Sequence, residues 1–151
     1  METMDAKLSS SIRAVWANTY TPEGSSFLET VRALMSLGVT RYRIDFVAST
    51  ATAYVPDAAH HTVLVDTAPI PSHSGSVILG AKWNLDEIMK AIRKAQEGGP
   101  EYTYKGFTKT CVENGVTDYS AYLQGKRVVY CGALGDSHTE WFPGSGPPAQ
   151  K

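Results

Sequence analysis

Residues 24–66 and 101–142 are two imperfect copies of one unit. Each copy carries a short helical pattern, then Gly-Val-Thr, a Tyr-bearing strand pattern, a second strand with Tyr at its end, and a His. Gly38-Val39-Thr40 aligns with Gly115-Val116-Thr117. At that offset Phe27 aligns with Tyr104, Tyr42 with Tyr119 and His61 with His138, while Tyr54 aligns with Tyr130 once one residue is skipped. A repeat constrains a fold strongly, because each copy must build the same supersecondary unit and bury its apolar face against a neighbour. It leaves the chemistry open.

The elements follow from periodicity and caps. Asp5 to Tyr20 reads as a first helix, with Leu8, Ile12, Val15 and Trp16 at helical spacing. Thr21-Pro22-Glu23-Gly24 breaks it. Ser26-Phe27-Leu28-Glu29 has the form of a capping box, in which serine takes an orphan amide and glutamate reaches back. The second helix it opens ends at Gly38, since glycine enters the left-handed cap conformation without steric cost. From Arg41 to Val47 the chain alternates, with Tyr42, Ile44 and Phe46 on one side and Arg41, Arg43 and Asp45 on the other. Strands are expected at 50–55 and 62–66. Residues 67–100 form a Pro- and Gly-bearing linker around Val77-Ile78-Leu79, followed by a helix that opens at Asn84-Leu85-Asp86-Glu87 and ends at Gly98-Gly99-Pro100. The second copy has Thr103 as a helix cap, with Tyr104, Phe107 and Cys111 inward, then strands at 118–123, 127–131 and 138–142.

Four helices and about six strands in this order predict an α+β fold. Two pseudo-repeats of helix followed by antiparallel strands form one antiparallel sheet, with helices packed on one face. The copies are expected to join edge to edge about a pseudo-twofold axis. A single domain is expected over 1–142, with 143–151 as a flexible tail.

Composition narrows the function classes. With 42% hydrophobic and 19% charged residues the chain is globular rather than disordered. A net charge of −1 and the lack of a basic stripe argue against nucleic acid and anionic membranes as partners. No apolar run approaches the roughly 20 residues that span a bilayer. The acidic start, Met1-Glu2-Thr3-Met4-Asp5, lacks a signal-peptide core, and two cysteines make no disulfide scaffold; a cytoplasmic protein with free thiols is the expectation.

The stretch Cys111-Val112-Glu113-Asn114-Gly115-Val116-Thr117-Asp118-Tyr119, continued by Gly125-Lys126-Arg127-Val128-Val129-Tyr130 and Gly135-Asp136-Ser137-His138-Thr139-Glu140-Trp141-Phe142-Pro143, resembles the YdfO-like family of small bacterial proteins, often labelled phage-envelope-like. Gly38-Val39-Thr40-Arg41-Tyr42-Arg43-Ile44-Asp45, Tyr54 and Pro56-Asp57 carry it in the first copy, so it covers 24–143. The resemblance implies a small α+β fold and no catalytic mechanism. The long first helix and the Pro/Ser/His-rich linker depart from the family pattern.

Candidate chemistry is sparse. His138 and Glu140 share a strand face about 7 Å apart at Cα, which suits a general base and acid if that face lines a cavity, and a solvent-facing polar pair if it does not. Asp45 beside Arg43 is a positioned acid in a pocket, or a structural ion pair. His60, His61, His73 and His138 show no metal-ligand spacing, and no phosphate or dinucleotide loop or nucleophile elbow occurs, so neither metal nor cofactor is expected. Cys111 or Cys131 as a nucleophile would need His138. Tyr54, Tyr130 and Trp141, with Tyr42 and Tyr119, are candidates to wall an apolar pocket, and Arg43 and His61 to add polar contacts. The reading is a cofactor-independent enzyme for a small, largely apolar metabolite: a cyclase, isomerase or pericyclic-type (Diels-Alderase-like) catalyst with a biosynthetic role. His138, Glu140 and Asp45 are its candidate catalytic residues. The alternative is a non-catalytic ligand-binding or homodimeric interaction module.

Overall fold

The computed structural model describes residues 4–21, 24–71 and 81–147. His73, Gly75, Gly80 and the Val77-Ile78-Leu79 run of the linker, Pro22-Glu23 of the first break, and the ends of the chain lie outside the described residues.

Helix α1 (Ala6–Thr19) begins where the Asp5 carboxylate accepts from the Leu8 amide at 2.9 Å. Helix α2 (Phe27–Ser36) opens on a complete capping box: Glu29 N donates to the Ser26 hydroxyl at 3.2 Å, and Ser26 N donates to the Glu29 carboxylate at 3.1 Å. The two helices form a hairpin, joined by the buried hydroxyls of Thr19 and Thr30 at 3.2 Å. Gly38 then turns the chain with φ of +87°. Three strands follow: β1 (Arg41–Asp45), β2 (Thr50–Asp57) and β3 (Thr62–Pro69), with one 3₁₀ turn at Ala58–His60 between the last two. The second half repeats this order with α3 (Leu85–Glu97), α4 (Tyr104–Glu113), β4 (Val116–Tyr122), β5 (Arg127–Gly132) and β6 (Ser137–Trp141).

The structural repeat is therefore longer than the one legible in the residues. Each half is two helices and a three-stranded meander. The first helix and the helix of the linker are the missing leading members. They match each other only in apolar spacing, which any amphipathic helix shares.

All six strands form one antiparallel sheet in the order β3-β2-β1-β4-β5-β6. At its centre β1 pairs with β4, Arg41 opposite Tyr122 and Asp45 opposite Asp118. The ends of this seam close symmetrically: Phe46 N donates to Thr117 O and Leu123 N to Thr40 O, both at 3.0 Å. The predicted α+β class, with one antiparallel sheet, is the observed one.

Side chains on a strand alternate between faces. Tyr42, Ile44, Ala51, Ala53, Ala68, Tyr119, Ala121, Val128 and Tyr130 are buried. The helices pack on this face: Trp16 of α1 stands 5.3 Å from Tyr42, and Phe107 of α4 stands 6.4 Å from Tyr130. At the β3 edge the buried Asp66 carboxylate holds α1, accepting from Ser9 at 2.6 Å and from Arg13 Nε and Nη2 at 3.2 Å each. Among the described residues no helix covers the other face.

Candidate functional site

Register decides which candidates meet. On the helix face of the second half, Tyr119 pairs with Tyr130 and Tyr130 with His138, while Val128 pairs with Glu140. The corresponding line in the first half runs Tyr42, Ala53, Asp66. The structural counterpart of Tyr130 is thus Ala53, and that of His138 is Asp66. The matches of Tyr54 with Tyr130 and of His61 with His138 are corrected. Skipping one residue in a strand moves a side chain to the opposite face. Tyr54 accordingly stands on the open face against Arg41, and His61 lies exposed in the β2–β3 connection with φ of +52°.

A cavity of about 240 Å³ lies under the second half of the sheet. Phe27 and Leu28 of α2, Ile92 and Gln96 of α3, Tyr104 and Phe107 of α4, and the helix-face residues Tyr119, Val128, Tyr130 and Glu140 surround it. Tyr102, before α4, and Trp141, Phe142 and Pro143, at the end of β6, complete the wall. Local reasons place four of them. The Ser26 capping box sets the start of α2, so that Phe27 meets Phe142 edge-on at 5.4 Å. The Thr103 hydroxyl accepts from the Gly106 amide at 3.0 Å, which starts α4 with Tyr104 and Phe107 directed at the sheet.

The polar groups of this cavity are few. Glu140 accepts from His138 Nε2 at 2.9 Å and from Gln96 Nε2 at 3.4 Å. Its side chain is 21% exposed and that of His138 is 18%. Oxygen and ring nitrogen therefore meet in a partly enclosed setting, where hydrogen bonds to a charge are stronger than in water. The phenols are neutral donors. Burial pushes the Tyr102 hydroxyl up to about 12 and those of Tyr104, Tyr119 and Tyr130 well above the usual range. Tyr104 and Tyr119 share a short hydroxyl–hydroxyl hydrogen bond, and the Tyr119 ring meets that of Tyr42 edge-on at 6.1 Å. Tyr42 itself is 2% exposed, beneath Trp16, and does not line this cavity.

Asp45 and Arg43 do not join this group. β1 alternation puts them on the open face, opposite to Glu140. Asp45 Oδ1 accepts from the Val47 and Ala48 amides, each at 2.9 Å, and so builds the β1–β2 turn. Arg43 bridges Asp45 at 3.5 Å and Asp118 at 3.4 Å. Next to it one row of side chains crosses the sheet, pairing Tyr54 with Arg41, Arg41 with Tyr122, and Arg127 with Trp141. The Arg41 guanidinium lies 4.9 Å from the Tyr54 ring and 5.0 Å from that of Tyr122, and Arg127 lies 4.0 Å from Trp141. Trp141 thus belongs to the open-face row and also edges the cavity.

Of the sequence candidates, then, Glu140, Tyr119, Tyr130 and Trp141 meet at the cavity, with His138 bound to Glu140 but outside the lining. Asp45, Arg43, Tyr54, Tyr42 and His61 do not. Phe27, Gln96, Tyr102, Tyr104, Phe107 and Phe142 are wall residues that were not among the candidate site residues legible in the sequence. The one signal for two of them was the repeat itself, which aligns Phe27 with Tyr104. Among the described residues no group of three or more His, Cys, Asp or Glu is placed to hold a metal ion. No protein-family model matches the chain, and no curated protein matches it.

Proposed function

We propose that the protein is a cofactor-independent enzyme acting on a small, largely apolar molecule, with the cavity beneath β4–β6 as its site. One observation carries this: an aromatic-walled cavity of about 240 Å³ is lined by the exposed Glu97 and by one part-buried carboxylate, Glu140, oriented by His138 and Gln96. Rings confine the substrate, Glu140 takes or gives a proton, and the neutral hydroxyls polarise an acceptor atom. Cyclisation or isomerisation needs no more than this. His138 acts through Glu140 as a positioning residue, and Asp45 has no part in the site.

The test is a thermal-shift screen against flat, apolar metabolites, followed by turnover with any compound that binds. Glu140→Gln is expected to lower kcat about 10²–10⁴-fold while leaving binding largely intact. A variant with unchanged kcat removes acid–base chemistry at Glu140. A cavity that binds but converts nothing identifies a binding module.

A non-catalytic module pairing through its sheet edge is the second reading. Its support is edge strand β3, whose Val63 and Val65 are 49% and 42% exposed. A monomer at high concentration by light scattering would remove it. We further propose that the chain is a diverged YdfO-like protein in the cytoplasm. The stretches of the second copy that carry the resemblance fall in the end of α4, β4, β5 and β6.

A further inference from the structure

We infer that the ligand of this cavity is an organic cation: an aryl- or alkyl-ammonium compound whose charged end lies beside Glu140. The inference rests on the reading of the cavity as a small-molecule site and names the class of molecule. Three independent features of the wall have the same sign. Its two ionised side chains are both acidic, Glu140 and Glu97, and among the described residues it contains no Lys, Arg or His. Its remaining surface is dominated by rings, and the face of an aromatic ring is negative and attracts a cation. The C-terminal turn of α3, residues 95–98, also borders it, and the last carbonyls of a helix form the negative end of its dipole.

Four positive groups lie near the wall, one of them Arg127, which stacks 4.0 Å from the Trp141 ring on the open face of the sheet and outside the lining. The N-terminus of α2 reaches the cavity at Ser26–Leu28, but the Glu29 carboxylate is bound to it through the capping box. Lys94, in the last turn of α3, is exposed and outside the wall. His138, opposite Tyr130 on the same face, is bound through Nε2 to Glu140 at 2.9 Å and does not line the cavity. A neutral ligand that expels water would leave Glu140 with only His138 and Gln96. A carboxylate or phosphate ligand would meet like charge. A cation supplies the missing counter-charge and stacks on the rings at the same time.

Two isosteres separate charge from shape: phenyltrimethylammonium and tert-butylbenzene, titrated by NMR into the full chain. The cation is expected to bind at least about tenfold more tightly, with shifts at Tyr130 and Phe142. Glu140→Gln is expected to remove most of that preference while tert-butylbenzene binding persists. Equal binding of the two compounds to the unaltered protein overturns the inference and leaves the cavity reading standing. Binding of neither overturns both. Undiminished preference in the variant overturns the role of Glu140 as counter-charge. Should the variant not fold, the comparison on the unaltered protein decides alone.

Discussion

Cys111 and Cys131 show how far a residue's setting outweighs its type. Cys111 is 0% exposed, and burial pushes its thiol up to about 12. Only the thiolate is a nucleophile, so Cys111 is inert in the fold. Cys131 is half-buried on the open face, raised first by burial and then by Asp118, with Arg43 pulling the other way. Iodoacetamide at pH 8 is therefore expected to modify Cys131 alone in the native protein and both thiols in urea; mass spectrometry counts the adducts, and native labelling of Cys111 would contradict the packing around α4. The carboxylates divide in the same way. Glu140 and Asp45 both sit on alternating strands beside a basic partner. One faces a ringed cavity and the other closes a turn. That His138 and Glu140 share a face was legible from period two. Which face the helices cover was not, because that depends on the pairing of β6 with β5.

The caps and the repeat glycines set the elements. Ser26→Ala removes one half of the α2 capping box, at a cost of about 1 kcal/mol, and it loosens the approach of Phe27 to Phe142; urea unfolding reads the first effect. Gly38 and Gly115 align in the two copies and both have positive φ, +87° and +98°. Their surroundings differ. A Cβ at Gly38 would meet Val55 at 3.5 Å, an ordinary contact, whereas at Gly115 it would fall 2.8 Å from the Trp83 backbone. Both alanine variants incur the left-handed penalty of about 1–2 kcal/mol. Gly115→Ala should lose roughly a further 1–3 kcal/mol, since the segment leading into α3 cannot give way without dislodging that helix. Equal urea midpoints for the two variants would show that this segment yields freely. The glycines were legible as helix stops. The close approach of Trp83 was not, because the residues concerned are far apart along the chain.

Across the whole molecule the buried phenols link folding to pH. Tyr42, Tyr104, Tyr119 and Tyr130 are all raised above 10.0, chiefly by burial. In the unfolded chain these groups ionise near pH 10. Above that pH the unfolded state binds fewer protons than the folded one, so stability falls as pH rises; below it these tyrosines make no difference. Urea midpoints are expected to decline gently above about pH 8.5, where the Cys111 thiol ionises in the unfolded chain, and to drop more steeply beyond about pH 10 as the tyrosines join it. Phenolate absorbance of the buried set should appear together with unfolding. Gradual ionisation at unchanged near-UV circular dichroism would show the cluster to be open to water. What the residues alone determine about this protein is local: the helices, their caps, the alternation that buries Tyr42, Ile44 and Phe46, and a repeated unit that builds an antiparallel sheet. These depend on a few neighbouring residues and on the backbone's two periods. The tertiary structure alone decides the length of the repeat, the counterpart of each strand residue and the existence of the cavity. A cavity is a gap among elements distant in sequence, α2 against the end of β6 and α3 against β5. No residue type marks a place where atoms are missing.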